Sequence, residues 1–307
     1  MKNLFKLTEY RVVGGRNFSL KHYPTRLAHD VDKDELKASV KKDAGRIGEL
    51  QQLLYAEGSR ALLLIFQAMD AAGKDSCIAR VLREVSHQGC QVTSFKVPSK
   101  EELGHDFLWR HAKAAPAKGM IGVHNRSHYE EVLVVKVHPE VLLEEHIPGI
   151  RSVQDVDPDL WGQRYGSIRA FEEHLARQGT SILKFYLHMG RQAQAKRLLE
   201  RLEDPGKQWK FNLGDLKERA KWDAYMNAYG DAISATATPH APWYVVPSDR
   251  QWETRAIVCR AVREHLEGMA PKPPALSPAG ERDLRTGKAM LRAEQGSPKK
   301  SGRKVKR

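Results

Sequence analysis

Very little in this chain could act as a covalent or membrane staple. Its three cysteines, Cys77, Cys90 and Cys259, are odd in number and widely spaced. That excludes a disulfide framework, offers no cysteine zinc pattern and fits reduced thiols. The longest unbroken apolar run, Ala61 to Phe66, is six residues, far short of the roughly 20 that a membrane helix needs. Met1 to Leu20 lacks the continuous apolar centre of a signal peptide, so the expected location is cytoplasmic, with no membrane partner. What is present is ordinary for a globular chain: 307 residues, 41% apolar and 29% charged. That is enough for one large domain or two small ones, with a core that needs no staple.

Charge is unevenly spread. The segment from Ala270 to Arg307 holds 11 Lys and Arg against 3 Asp and Glu, +8 of the total +13, whereas the body, 40 basic against 35 acidic, is only +5. The tail is also rich in proline and poor in bulky apolar residues, so 269–307 is expected to be a disordered basic tail. A polyanion partner for its KKSGRKVKR end and a merely solvated tail fit equally well, and a nucleic acid is not expected elsewhere.

Residues 1–58 show no strand pattern. Asp32 to Leu54 reads as an amphipathic helix with Leu36, Val40, Ile47, Leu50 and Leu54 inward, an N-terminal extension packed on the main domain. The main domain, 59–268, opens with Ala61 to Phe66, a strand buried on both faces, then a loop and a helix. Further strands are predicted at Val92–Val97, Met120–His124, Ser181–His188 and Trp243–Val246, separated by helical stretches. That alternation predicts a parallel sheet covered on both faces. The charged helical stretch at about 190–234, broken near Asp204 to Gly206, is expected to form a lid. A last helix, Asp249 to Leu266, is expected to be capped by Ser248.

Two segments carry chemistry. The first, Gln67 to Asp75 (QAMDAAGKD), follows the first strand. A phosphate-binding loop needs Gly-x-x-x-x-Gly-Lys-Ser/Thr between strand and helix, so that backbone N–H groups and the helix start cradle phosphate while the lysine reaches its far end. Gly73 and Lys74 match, Ala68 replaces the first glycine, and Asp75 replaces the hydroxyl residue. Asp70 is then the natural substitute magnesium ligand. The second segment is GVHNRSHYEE, Gly122 to Glu131, at the end of another strand. In a parallel sheet it would face the first loop, where Arg126 could contact phosphoryl oxygens and Glu130 could hold metal or orient an acceptor. The plainer reading is that Asn125 and Ser127 cap the next helix.

Together these segments resemble polyphosphate kinase family 2. So do FKVPSKEELGHDFLWR (Phe95 to Arg110), NRSHYEEVLVVKVH (Asn125 to His138), ILKFYLH (Ile182 to His188), RLEDPGKQWKF (Arg201 to Phe211) and APWYVVPSDRQW (Ala241 to Trp252). The resemblance spans roughly residues 30 to 268. It implies a P-loop kinase-like, three-layer α/β sandwich with a parallel central sheet and a helical lid. It implies magnesium-dependent, reversible phosphoryl transfer from inorganic polyphosphate to AMP and ADP, with manganese as a substitute metal and guanine nucleotides as further acceptors. A dimer or tetramer is implied as well.

By the same resemblance, Asp70 and Lys74 belong to a Walker A loop whose phosphate-binding positions include Ala71, Ala72, Gly73 and Asp75. Arg126 is the Walker B arginine. Asn125, in place of an aspartate, joins Asp70 and Glu130 as a metal ligand in the NRSHYE class, where Glu130 goes with monophosphate use. Arg197 and Arg201 would face the phosphates from the lid, with Asp215 supporting catalysis. The acceptor base would lie near Asp106, Phe107, Trp109 and Arg110. Lys96, Lys100, Arg191, Lys207 and Lys210 are further candidates for a polyphosphate channel, each more simply read as a solvated charge. His124, His128 and His188 read as structural, and Cys77 as core. Two other readings remain open, an inactive nucleotide- or polyanion-binding module and an ATP-dependent nucleoside monophosphate kinase.

Overall fold

The computed structural model describes residues 4–14 and 18–296. These fall into a large unit ending at Lys272 and a small one beginning at Pro273. In the large unit, a two-residue strand β1 (Arg11–Val12) precedes helix α1 (Lys33–Glu57). The Asp32 carboxylate caps α1 by accepting from the N–H groups of Asp34 and Glu35, and Gly58 closes it at φ 64°, a left-handed turn that glycine adopts without strain. There follow β2 (Ala61–Ala68), α2 (Lys74–Val81), β3 (Cys90–Ser94), α3 (Lys100–Leu103), α4 (Trp109–Lys113), β4 (Ile121–Asn125) and α5 (Glu130–Val137). The unit is completed by α6 (Asp159–Arg177), β5 (Thr180–His188), α7 (Arg191–Glu203), α8 (Leu213–Ala220), α9 (Trp222–Thr236), β6 (Trp243–Pro247) and α10 (Gln251–Met269). The small unit contains α11 (Pro278–Gly296).

The six strands form one sheet in the order β1-β6-β5-β2-β4-β3. All neighbours are parallel except β1 and β6. Central β2 is buried at every position because its alternate residues feed two cores. Leu62, Leu64 and Phe66 pack with residues of α1, α2 and α10, while Leu63 and Ile65 pack with residues of α5, α6 and α9. The result is a three-layer α/β sandwich. No helix among the described residues is long and apolar enough to cross a membrane.

Several expectations change. Residues 1–58 contribute a strand after all: Arg11 and Val12 extend the sheet antiparallel to Tyr244 and Trp243. A two-residue strand is too short to show alternation. The third strand runs over Cys90–Ser94 rather than Val92–Val97, because Phe95 turns into the core and Val97 lies exposed. Ser248 does not cap α10, which starts at Gln251; its hydroxyl donates to the Ala72 carbonyl instead. The lid is shorter than 190–234. Helix α9 buries Tyr225, Ala228, Tyr229, Ala232 and Ile233 in the sheet's second layer, which leaves α7 and α8 as the exposed pair. The stretch expected to be disordered from 269 forms α11 over Pro278–Gly296. The KKSGRKVKR end lies outside the described residues.

Candidate active site

The register of β2 and β4 brings the two chemistry-bearing segments together. Phe66 pairs with Asn125 at the strand ends, and the Arg126 N–H donates to the Phe66 carbonyl one step further on. Both loops turn through left-handed backbone just there: Ala71 at φ 64°, Gly73 at φ 94° and Arg126 at φ 64°. For Ala71 and Arg126 this is a strained conformation that the surrounding contacts must hold.

Those contacts come from behind the loop. The Arg197 guanidinium donates to the carbonyls of Ala71 (3.1 Å), Ala72 (2.9 Å), Ser248 (2.6 Å) and Asp249 (3.1 Å). The Ser248 hydroxyl donates to Ala72, and the Gln194 side-chain amide donates to the Asp70 carbonyl at 3.0 Å. With the loop's carbonyls anchored this way, α2 opens at Gly73 and its positive dipole end lies at the loop. Lys74 curls back so that Nζ donates to the Ala68 carbonyl at 3.0 Å. Burial, then the Arg126 charge, pulls the Lys74 ammonium below its ordinary range, while Asp70, Glu130 and Asp75 pull it back.

Arg126 bridges two carboxylates, donating to Asp70 Oδ1 at 2.8 Å and to Glu130 Oε2 at 3.1 Å. The Glu130 charge raises the guanidinium above its already high range; burial opposes the shift and Asp70 adds to it. From the lid, Arg201 donates to Asp215 at 3.1 Å. Burial and the nearby Asp70 charge push the Asp215 carboxyl up, so the lid carboxylate stands within electrostatic reach of the loop. Asn125 donates from its amide to Asp75 at 2.7 Å, joining the strand end to the start of α2. Asp70, Lys74, Asp75, Asn125, Arg126 and Glu130 therefore form one cluster, with Arg201 and Asp215 facing it.

Four expected residues stand elsewhere or act differently. Arg197 does not present its guanidinium as a free phosphate ligand; it clamps the loop's backbone. Arg110 is buried, donating to the Lys96 carbonyl at 2.8 Å and to Glu131 at 3.0 Å. Asp106 accepts from the Leu108 N–H and so turns the chain into α4. Trp109 stacks on His105 with ring centroids 3.9 Å apart, and the Lys113 ammonium lies 4.0 Å from the Trp109 ring centroid. None of the bonds of Asp106, Trp109 and Arg110 leads to the loop.

Asp70 and Glu130, with Asp215 opposite and the Asn125 amide oxygen beside them, offer hard oxygen donors around one pair of strand ends. That donor set fits a magnesium-type cation. The roles of Gln194, Ser248 and Asp249 in holding the loop and the entry to α7 gave no signal in the sequence, because the partners concerned lie 59 to 224 residues away. Asp249 accepts from the Gly190 N–H and the Thr25 hydroxyl at 2.7 Å each, fixing the entry to α7. Cys77 is buried in the core as expected, its thiol pushed up to about 12 by burial.

Comparisons with known proteins agree on the family of the chain. A family model described as Polyphosphate kinase 2 (PPK2) matches residues 30–274. An ADP-polyphosphate phosphotransferase of Rhodopseudomonas palustris is 44% identical over 91% of this chain and 96% of its own length. An AMP/ADP-polyphosphate phosphotransferase of Meiothermus ruber is 41% identical over 90% of this chain and 98% of its own. The crystal structure of Polyphosphate Kinase 2 from Arthrobacter aurescens TC1 superposes with a TM-score of 0.80 at 40% identity, covering 91% of this chain and 95% of that one.

Proposed function

The chain belongs to the polyphosphate kinase 2 family, and from that premise we propose that it transfers phosphoryl groups from inorganic polyphosphate to AMP and ADP. The observation that carries the reading is the single cluster at the ends of β2 and β4, where Asp70, Lys74, Arg126 and Glu130 meet over a phosphate-type loop. In the step itself, a P–O bond of the polyphosphate terminus breaks as an acceptor phosphate oxygen forms a new one. The shortened polyphosphate leaves as an anion. The acceptor is already largely deprotonated at neutral pH, its second pKa being about 6, so no general base and no covalent enzyme intermediate is needed. What the step needs is positioning and positive charge.

Lys74 and Arg126 supply that charge from this chain. Arg126 is held between Asp70 and Glu130, so its guanidinium is aimed before substrate arrives, which is the preorganisation that lowers a charged transition state. Asp70, Glu130 and Asn125 would hold a magnesium ion, whose charge would offset that of the phosphates. Helices α7 and α8 would close over the loop and exclude water that would otherwise take the phosphoryl group. Arg201 and Asp215 would then meet the phosphates from above.

The test is to incubate the protein with long-chain polyphosphate, magnesium and AMP, with no ATP added, and to follow AMP, ADP and ATP by chromatography. Formation of ADP and then ATP is the expected result and assigns both steps. Conversion of added ADP alone would remove the monophosphate step. No conversion of either would leave a binding protein. An ATP-dependent monophosphate kinase would react only when ATP is supplied.

A further inference from the structure

The segment carrying Arg126 also carries two histidines that the phosphate cluster does not use. His124 on β4, His128 before α5 and His111 on α4 are all fully buried, and one ring nitrogen from each lies within 4.8 Å of the other two. Three side chains from three separate elements thus converge on one point next to the loop of Arg126.

Their hydrogen bonds fix which nitrogens carry the lone pairs. His124 Nε2 lies 3.1 Å from the Ala114 carbonyl, and a carbonyl only accepts, so Nε2 carries the proton and Nδ1 the lone pair. His128 Nε2 lies 3.3 Å from Glu172 Oε1, whose carboxylate also accepts from Lys184 at 2.6 Å; Nε2 is again the donor and Nδ1 the bare nitrogen. Nδ1 of His124, Nδ1 of His128 and both nitrogens of His111 have no partner among the described residues. Burying four such atoms unsatisfied is unusual in a native interior. The outer nitrogens held by a carbonyl and a carboxylate are the arrangement that orients histidines towards a metal.

We propose that His111, His124 and His128 form a buried site for a zinc-type divalent ion, separate from the oxygen-rich phosphate cluster. Imidazole nitrogen suits Zn²⁺, and hard Mg²⁺ avoids it. The Glu131 carboxylate lies 3.9 Å from His111 Nε2 and offers negative charge or a fourth donor, although Arg110 shares it at 3.0 Å. Zn–N bonds of about 2.0–2.1 Å require the three nitrogens to draw together to about 3.4 Å. Phe95, against His111 and His124, and Phe171, against His128, are ring contacts that can follow such a shift. The ion would tie α4 to the end of β4 and the start of α5, bracing the strained turn at Arg126. Its role is structural, and it stands whether or not phosphoryl transfer from polyphosphate is the reaction.

Wild-type protein is dialysed against Co²⁺ and, separately, Zn²⁺ in excess Mg²⁺, which keeps the oxygen donors occupied. The expected result is one tightly held ion per chain, visible d–d bands of a four-coordinate Co²⁺ site, and X-ray absorption showing imidazole nitrogens at about 2.0–2.1 Å from Zn²⁺. His111→Phe, which fills the same volume, is expected to weaken Zn²⁺ binding at least tenfold. The absorption spectrum of the wild type decides the matter even if the variant does not fold. No uptake above Mg²⁺, a spectrum showing oxygen ligands alone, or unchanged affinity in a folded His111→Phe protein would each overturn the proposal.

Discussion

At the floor of the candidate active site, Asp70, Lys74, Asn125 and Arg126 stand at the ends of β2 and β4, strands buried along nearly their whole length. Across from them, α7 buries only Gln194 and Leu198, and α8 buries nothing. Leu199, Trp209, Leu213 and Leu216 of this lid region lie exposed, Trp209 at 77%. The two regions face each other but are held by different means. The floor's loop is pinned by Arg197, Gln194 and Ser248 through backbone carbonyls. The outer helix α8 leans on side-chain links alone, Arg201 to Asp215, Arg219 to Gln194 and to the Arg191 carbonyl, and Glu218 with His138. Chemistry that depends on tenths of an ångström is placed where the fold cannot move, and access is given to a segment with little core of its own.

The largest effect is expected at the floor. Lys74→Ala should lower the rate of ADP formation by about 10²- to 10³-fold or more, the scale for losing one preorganised charge at a reacting group. Its melting temperature should not fall, because burial already disfavours the lysine's charge in the folded protein. A similar loss of rate from a variant of Arg201 or Asp215, which do not anchor the loop, would break the contrast between the two regions.

Arg197→Ala comes next and joins the regions, since the residue is on α7 but serves the loop. Removing its guanidinium leaves carbonyls of Ala71, Ser248 and Asp249 without that donor and lets the loop shift. A rate loss of about 10²-fold is expected from misplacement, together with a stability loss of about 2–3 kcal/mol from abandoned buried acceptors. A phosphate ligand would lose rate without stability, so a melting curve beside the kinetics separates the roles. Arg197→Lys should rescue neither fully, because an ammonium cannot span four carbonyls.

How much of this could be read in the sequence follows from the distance between partners. The strand-loop-helix around Gly73 and Lys74 was legible because its signals lie within a dozen consecutive residues, as was NRSHYE. The clamp role of Arg197 was not, because its acceptors lie 51 to 126 residues away and are backbone atoms that any sequence has. Arg110 was misplaced for the same reason: its partner Glu131 belongs to the NRSHYE region, but the pair is turned into the interior rather than towards the loop. The charge and length of about 190–234 suggested one lid, yet the tyrosines at 225 and 229 are what commit α9 to the core.

Arg201→Ala tests the lid alone. It removes the partner of Asp215 while leaving the loop's anchors untouched, so a rate loss of about tenfold is expected, the low end for one charge contributed from a mobile element. The melting temperature should fall only modestly, since Arg201 and Asp215 are 21% and 17% exposed and a pair still open to water contributes about 1 kcal/mol. Leu213→Ser should alter stability by less than about 0.5 kcal/mol, as for surface positions generally. A large destabilisation there would mean that the lid's exposed apolar face is covered in solution.

The smallest effect is a pH dependence confined to the lid. Burial and the charge of Asp70 raise the Asp215 carboxyl above its ordinary value. A carboxyl raised on folding holds its proton longer in the closed arrangement, so its stabilising contribution is complete below about pH 4, near the unfolded value, and is lost as pH rises through the folded one. Limited proteolysis within 191–220 should therefore become faster as pH rises from about 4 towards 7, while cleavage of the sheet does not change. Asp215→Asn cannot ionise and should flatten that slope, even though it also gives up the Arg201 pair. If the slope persists in the variant, another group governs the lid, and the electrostatic reach between Asp215 and Asp70 does not control its opening.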